Sequence, residues 1–325
     1  MHSVNRGLVA GMSLLLAGGF ASDLAAQSYP AKLIRVIVPR SPGGGSDILA
    51  RLLSPGMQKK NGQTFLVENH PDASAVVGAE LTARAQADGY TVFLADNAFY
   101  QNPAVIRKLP YDTVRDFSGV TMLAQSPVIL VVGATVPAKD VKSLIQYAKS
   151  NAGKLTYGSG GIGSSTHLAG VLFNRAAGVD TIHVPFKSSG QALESLLGNH
   201  LTMQFGGISS ARAQIEAGKI HAIAVTGGKR DPSVPGVPTF DESGIKGIDI
   251  TSIWGIHAPA GTPLAVRRVL RDALVEVMRA PELTARLNAQ GYDVIGSTPE
   301  AHDAETRRLV AFWLDIATKV IISAD

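Results

Sequence analysis

Two glycine-rich loops carry the residue types best suited to chemistry. The first, Arg40-Ser41-Pro42-Gly43-Gly44-Gly45-Ser46-Asp47, lies between a β-branched run and a helical pattern. Glycine lets backbone amides approach a ligand closely, and a helix N-terminus aims unpaired N–H groups and a partial positive charge at an anion. No Gly-Lys-Ser/Thr follows, which excludes a nucleotide P-loop. The competing reading is a tight turn with Ser46 as a simple helix cap. The second loop, Gly158-Ser159-Gly160-Gly161-Ile162-Gly163-Ser164-Ser165, precedes a helix containing His167, Leu168, Val171 and Leu172. Gly158, Gly160 and Gly163 match the G-x-G-x-x-G spacing of a dinucleotide fold, but the next strand runs into Pro185-Phe186-Lys187, where ribose recognition calls for a carboxylate. No cofactor is therefore expected. Two strand, Gly-loop, helix units instead suggest two anion-facing helix ends closing on one ligand in a cleft between domains.

Enzyme chemistry finds less support. No G-x-S-x-G occurs, and Ser164, Ser165 and His167 share one helix start, where capping is the commoner role. His70, His167, His183, His200, His221, His257 and His302 show no H-E-x-x-H or similar metal spacing. They read as surface or packed neutral residues, and Trp254 and Trp313 read as core.

The elements that hold these loops alternate between two periods. Leu33 to Val38 is a strand pattern, followed by a helical pattern at Ile48, Leu49, Leu52 and Leu53. Further strands are expected at 65–67, 90–95, 129–132, 155–157, 181–184, 203–205, 222–226 and 254–259, with helices at 79–85 and 141–150 among them. Strands spaced by helices point to mostly parallel sheets flanked by helices. Thr262 as N-cap, Pro263 at the first position and the apolar face Val266, Val269, Leu270, Ala273, Leu274, Val277 and Met278 predict a helix that stops before Pro281. Residues 27–126 with 250–325 are read as one domain, and 127–249 as a second inserted into it.

The chain has 325 residues, 30 Lys+Arg against 26 Asp+Glu, and no cysteine. A net charge of +4 with scattered basic residues gives nucleic-acid binding little support. Met1 to Arg6 carries one positive charge and Gly7 to Ala21 is an apolar run too short to span a bilayer, so residues 1–26 read as a secretory signal peptide cut after Ala26. Without cysteine there is no disulfide, no thiolate metal site and no lipid-bearing anchor. A freely diffusing monomer of the periplasm is expected.

These residues resemble, over nearly the whole mature chain, the substrate-binding proteins of tripartite tricarboxylate transporters, the Bug or TctC family. The matching strings include Pro42-Gly43-Gly44 with Asp47 and Ala50-Arg51, Val67-Glu68-Asn69, Asp88-Gly89-Tyr90-Thr91, Lys154 to Ser159, His167-Leu168-Ala169, His183 to Lys187 and Ala258 to Pro263. The resemblance implies a two-lobed α/β periplasmic binding protein of the type II kind, with a carboxylate held in the cleft and delivered to a membrane permease. Some relatives act in sensing. It places the ligand against Arg40, Ser41, Gly43, Gly44, Gly45 and Asp47 of the first loop, against Ser159, Gly160, Ser164, Ser165 and His167 of the second, and beside Asn97, Phe186 and Gly206. Relatives commonly carry Phe-Pro where this chain has Arg40-Ser41, and often an aspartate where it has Gly206. Losing a pocket carboxylate and gaining an arginine favours a dicarboxylate, including an aromatic one such as terephthalate, with the Arg40 guanidinium reaching the ligand or turning to solvent.

Overall fold

The computed structural model describes residues 29–72 and 74–319. The signal-peptide reading of residues 1–26 lies outside them. Among the described residues, ten strands form one continuous sheet that curls into two halves.

The first half begins with β1 (Ile34–Val38), which pairs in parallel with β2 (Phe65–Asn69) and β3 (Thr91–Ala95). Between them run α1 (Gly45–Asn61), α2 (Val76–Ala83) and, after β3, α3 (Asn97–Val105). The second half holds β5 (Thr156–Ser159), flanked in parallel by β6 (Ile182–Pro185) and β7 (Met203–Gly207). Its helices are α4 (Val141–Ser150), α5 (Ser165–Ala177), α6 (Ser189–Leu197) and α7 (Ile208–Glu216), and β8 (Ile220–Val225) closes it.

Two long strands join the halves. β4 (Phe117–Gly133) pairs with β9 (Thr251–Pro259) up to Pro127 and with β7 and β8 from Val128 onward. The sheets are therefore mixed rather than mostly parallel. A chain that crosses to a second lobe must also return, and the outgoing β4 and returning β9 run antiparallel. The Thr226 hydroxyl ties the crossings together: it accepts from Val128 N at 2.9 Å and donates to the Ile250 carbonyl at 2.6 Å. Pro127, which lacks an N–H, sits where β4 leaves one ladder for the other.

Each lobe is a sheet covered on both faces. In the first, Leu49, Leu53 and Met57 of α1 pack with Leu270, Leu274 and Met278 of α8 (Leu264–Arg279) on one face. On the other, Phe93, Phe99, Tyr100 and Phe117 form an aromatic cluster. The second lobe has separate cores around Phe173 and Phe205 and around Leu193 and Ile208. The chain ends with α9 (Pro281–Ala289), β10 (Asp293–Val294) paired with β4, and α10 (Pro299–Lys319). The N-cap of α8 is Pro263 instead of Thr262, whose hydroxyl donates to the Pro259 carbonyl at 2.7 Å. Pro281 opens α9 directly after α8 ends at Arg279. No helix among the described residues is long and apolar enough to cross a membrane.

Candidate functional site

Five helix N-termini meet at one cavity between the lobes: those of α1 and α3 from the first lobe and of α5, α6 and α7 from the second. Each follows a strand end in the same way. The chain leaves the carboxyl end of a strand, turns through Gly or Ser, and enters a helix whose first amides have no intrahelical partner. Asp96 caps α3 by accepting from Ala98 N, Ser164 caps α5 through His167 N, and Ser188 caps α6 through Gln191 N. The starts of α1 and α7, at Gly44 and Gly207, have no side-chain cap, so their amide donors face the cavity with no side-chain acceptor. An anion in the cavity meets converging N–H groups and positive helix ends.

The cavity has a volume of about 50 Å³, room for a few water molecules. Of the residues expected there, Arg40, Gly44, Gly45, Asn97, Gly160, Ser164 and Ser165 line it. The Asn97 amide is already committed, donating to the Thr251 carbonyl and accepting from Ile253 N, both at 2.9 Å. The Ser165 hydroxyl bonds Ser252 at 2.7 Å across the cleft.

The other expected residues stand behind the wall. Ser41 N donates to Lys187 O, an interlobe tie. Gly43 takes φ +81°, which Gly tolerates without cost, and donates to the Asp47 carboxylate, which also holds Arg51 and Asn69. Phe186 packs in the second-lobe core, and Gly206 pairs with Ile129 beside the Gln204 side chain. Ser159 is fully buried under its loop, 2.7 Å from His183 Nε2. His167 stacks on His183 at 4.2 Å. Burial and the neighbouring His167 push the His183 imidazole down to about 4, and burial also lowers His167. A histidine made this weakly basic, against a serine with no access to the cavity, does not make a nucleophile–base pair.

Arg40 takes neither course expected of it. Its side chain is buried, with Nε 2.6 Å and Nη2 3.2 Å from the two Asp96 oxygens, a bidentate pair, and Nη1 2.8 Å from the Gly160 carbonyl of the other lobe. The cavity therefore does contain a carboxylate, Asp96, supplied from a position that sequence reasoning passed over. Trp254 was also missed as a wall: it belongs to the core, yet its indole faces the cavity while Nε1 donates to Ser46 at 3.0 Å. Ser188-Ser189, Gly207 and Ser252 complete the lining. The rule that picked the first two loops, a strand followed by Gly or Ser and then a helix, finds Ser188-Ser189-Gly190 and Gly206-Gly207 when applied to β6 and β7.

The family model of the tripartite tricarboxylate transporter receptor (TctC) matches residues 49–313. The chain belongs to this receptor family. A UPF0065 protein from the tcbD–tcbE intergenic region of Pseudomonas sp. strain P51 is 32% identical over 296 residues, 91% of this chain and 88% of its own. Rpa4515 of R. palustris, solved with adipate, shares the fold with a TM-score of 0.86 at 30% identity, covering 89% of this chain and 97% of its own. MatC from Rhodopseudomonas palustris with bound malate gives a TM-score of 0.83 at 29% identity over 89% and 99%. As a TctC receptor the chain is a two-lobed solute-binding protein of the periplasmic kind rather than an enzyme, in a family that serves a membrane transporter through small carboxylate ligands.

Proposed function

We propose that this receptor captures a short dicarboxylate between its lobes and delivers it to the membrane permease of a tripartite tricarboxylate-type uptake system. The observation that carries this reading is the convergence of five helix starts on one cavity, two of them without a side-chain cap. One carboxylate is assigned to the amides at Gly44, Gly45 and Ser46, and the other end of the ligand to Ser164, Ser165 and the start of α7. Relatives solved with adipate and with malate support an aliphatic chain of that length.

The lobes are assigned to residues 27–126 with 250–325 and to 127–249, in a monomer exported by the signal peptide at 1–26 and free of a lipid anchor. Thermal-shift screening of the mature protein against malate, succinate, adipate, citrate and terephthalate tests the reading. A ligand at 100 times its dissociation constant adds about 2.7 kcal/mol, which raises Tm by several degrees. If none of these acids raises Tm, the proposal fails.

A further inference from the structure

His167 is the third residue of α5, and that position gives its ring a task. Ser164, the N-cap, accepts from His167 N, and the His167 side chain turns back so that Nδ1 accepts from Gly163 N at 3.3 Å. A Glu or Gln at the third helical position usually closes such a reciprocal cap. Here an imidazole closes it one residue further out, because Ser164 N is already bonded to the Gly161 carbonyl. Gly163 takes φ +72° and faces Ala98 and Gln101 of α3, so the bond fixes the second loop where it meets the first lobe.

The ring is braced from its other face. Tyr157 of β5, His183 of β6 and His167 form one stack, with centroids 4.8 Å and 4.2 Å apart and planes tilted by 26° and 21°. His183 Nε2 is 2.7 Å from Ser159 Oγ, which accepts from Gly161 N at 3.2 Å. The two imidazoles thus hold opposite ends of the loop 159–163, behind the face that turns Gly160, Ser164 and Ser165 to the cavity.

A proton affects the two holds differently. A hydroxyl both donates and accepts, so Ser159 answers either form of His183. The Gly163 N–H only donates, and an Nδ1 that carries a proton has no lone pair to receive it. Burial alone lowers His167, and the titratable groups that face it are His183 and, one ring further, Tyr157.

We propose that His167 is a proton-sensitive positioning residue of the cleft: as a neutral ring it fixes Gly163 and with it the anion-facing loop, and proton uptake at Nδ1 releases the loop and weakens cargo binding. The effect on cargo rests on the carboxylate reading above, while the hold on Gly163 stands without it. A positive ring near an anion would by itself strengthen binding as pH falls. Release of the loop has the opposite sign, so direction separates the two.

Amide hydrogen exchange on the ligand-free mature protein decides the hold. His167→Leu removes the acceptor and keeps bulk against His183, while His167→Asn puts an oxygen near the place of Nδ1 and does not titrate. Circular dichroism shows whether His167→Leu is folded, and His167→Ala takes its place if it is not. Exchange at Gly163 N–H is expected to quicken about tenfold or more in His167→Leu and to stay within about threefold of wild type in His167→Asn. Wild-type protection in His167→Leu overturns the hold. Calorimetry with malate and with adipate reads the cargo: His167→Leu should bind about tenfold more weakly or worse and His167→Asn within about threefold of wild type, and undiminished affinity in His167→Leu overturns the role in binding. From about pH 7 to about pH 5 the wild-type affinity should fall more steeply than that of His167→Asn, since the acid titrates identically in both and only the ring differs. Parallel curves, or a shallower wild-type curve, overturn the proton step. If neither acid binds any of these proteins, the carboxylate reading falls, and Gly163 exchange still decides the hold and, run over the same pH range, the proton step.

Discussion

The α-carbon of Gly190, at the start of α6, lies so close to Gly43 of the first lobe that a methyl group added at 190 would stand 2.7 Å from the Gly43 carbonyl oxygen. No real Cβ sits that near a backbone oxygen, so the contact exists only because residue 190 is glycine.

Gly190→Ala should therefore keep the lobes from meeting fully. Overpacking of this kind costs roughly 1 to 3 kcal/mol, and the cost falls on the closed form alone. Affinity for the best acid from the screen is expected to drop about tenfold or more by calorimetry, with the urea midpoint of the ligand-free protein little changed. Undiminished affinity would show that the contact opens without penalty.

Ser164 and Ser165 should separate by what they lose. Ser164 caps α5, donates to Gly161 O at 2.7 Å and touches Thr166 at 2.8 Å. Its change to Ala is expected to lower stability by about 0.5 to 2 kcal/mol as well as binding. Ser165→Ala removes the tie to Ser252 and should cost about 0.5 to 1.5 kcal/mol in affinity with little loss in urea resistance. The reverse pattern would assign the cap wrongly.

Trp254 should report occupancy of the cleft. Its indole lines the cavity, packs edge-on to Tyr292 and is fixed by Ser46, whereas Trp313 belongs to the aromatic core near α10. Ligand addition is expected to change tryptophan fluorescence in wild type and in Trp313→Phe, and not in Trp254→Phe. A response that survives Trp254→Phe would place the ligand elsewhere.

Acid should weaken the fold before it weakens any single helix. His257 of β9 and His302 of α10 meet with ring centroids 4.2 Å apart and planes tilted by 55°, with Tyr100, Thr306 and Arg267 around them. Burial, with Arg267 adding to it, pushes His302 down to about 3, and burial with His302 beside it holds His257 well below the ordinary range. Above about pH 6.5 all these rings are neutral in both the folded and unfolded chains and contribute nothing. Below it the unfolded chain takes up protons that the native rings refuse, so stability falls as pH falls until the native rings themselves titrate, near 4 for His183 and 3 for His302. Each ring adds a slope of up to about 1.4 kcal/mol per pH unit. Urea midpoints between pH 7 and 4 should drop steeply, and His302→Gln should flatten the curve. A pH-independent midpoint would contradict the buried neutral pair.

Much of the architecture was legible from local pattern. The strands at 34–38, 91–95 and 203–207 and the helix at 141–150 follow from short apolar runs and helical spacing. The seventeen-residue β4 was seen only at 129–132: Gln125, Ser126 and Pro127 interrupt the apolar run at the point where the strand changes sheets, and local propensity carries no trace of a partner exchange. At the site, glycine content revealed two loops. It could not reveal Asp96, because an aspartate before a helix reads as a cap, which it is, and its second task depends on Arg40 arriving from 56 residues away. Nor could it show that Trp254 is wall as well as core, since the cavity it borders is built by residues from both lobes.

The doubled crossing at Thr226 also sets an order of assembly. The second lobe is one unbroken stretch between the crossings, so its sheet can form as soon as β8 follows β7. The first lobe cannot: β3, paired with β1 on one side, finds its other neighbour only in β9, more than 150 residues later, and β4 finds β10 later still. Long loop closures form slowly. Until β9 arrives, β3 presents an unpaired edge of the fully buried run Thr91–Ala95, which makes the first lobe the slow and aggregation-exposed half of the molecule during folding.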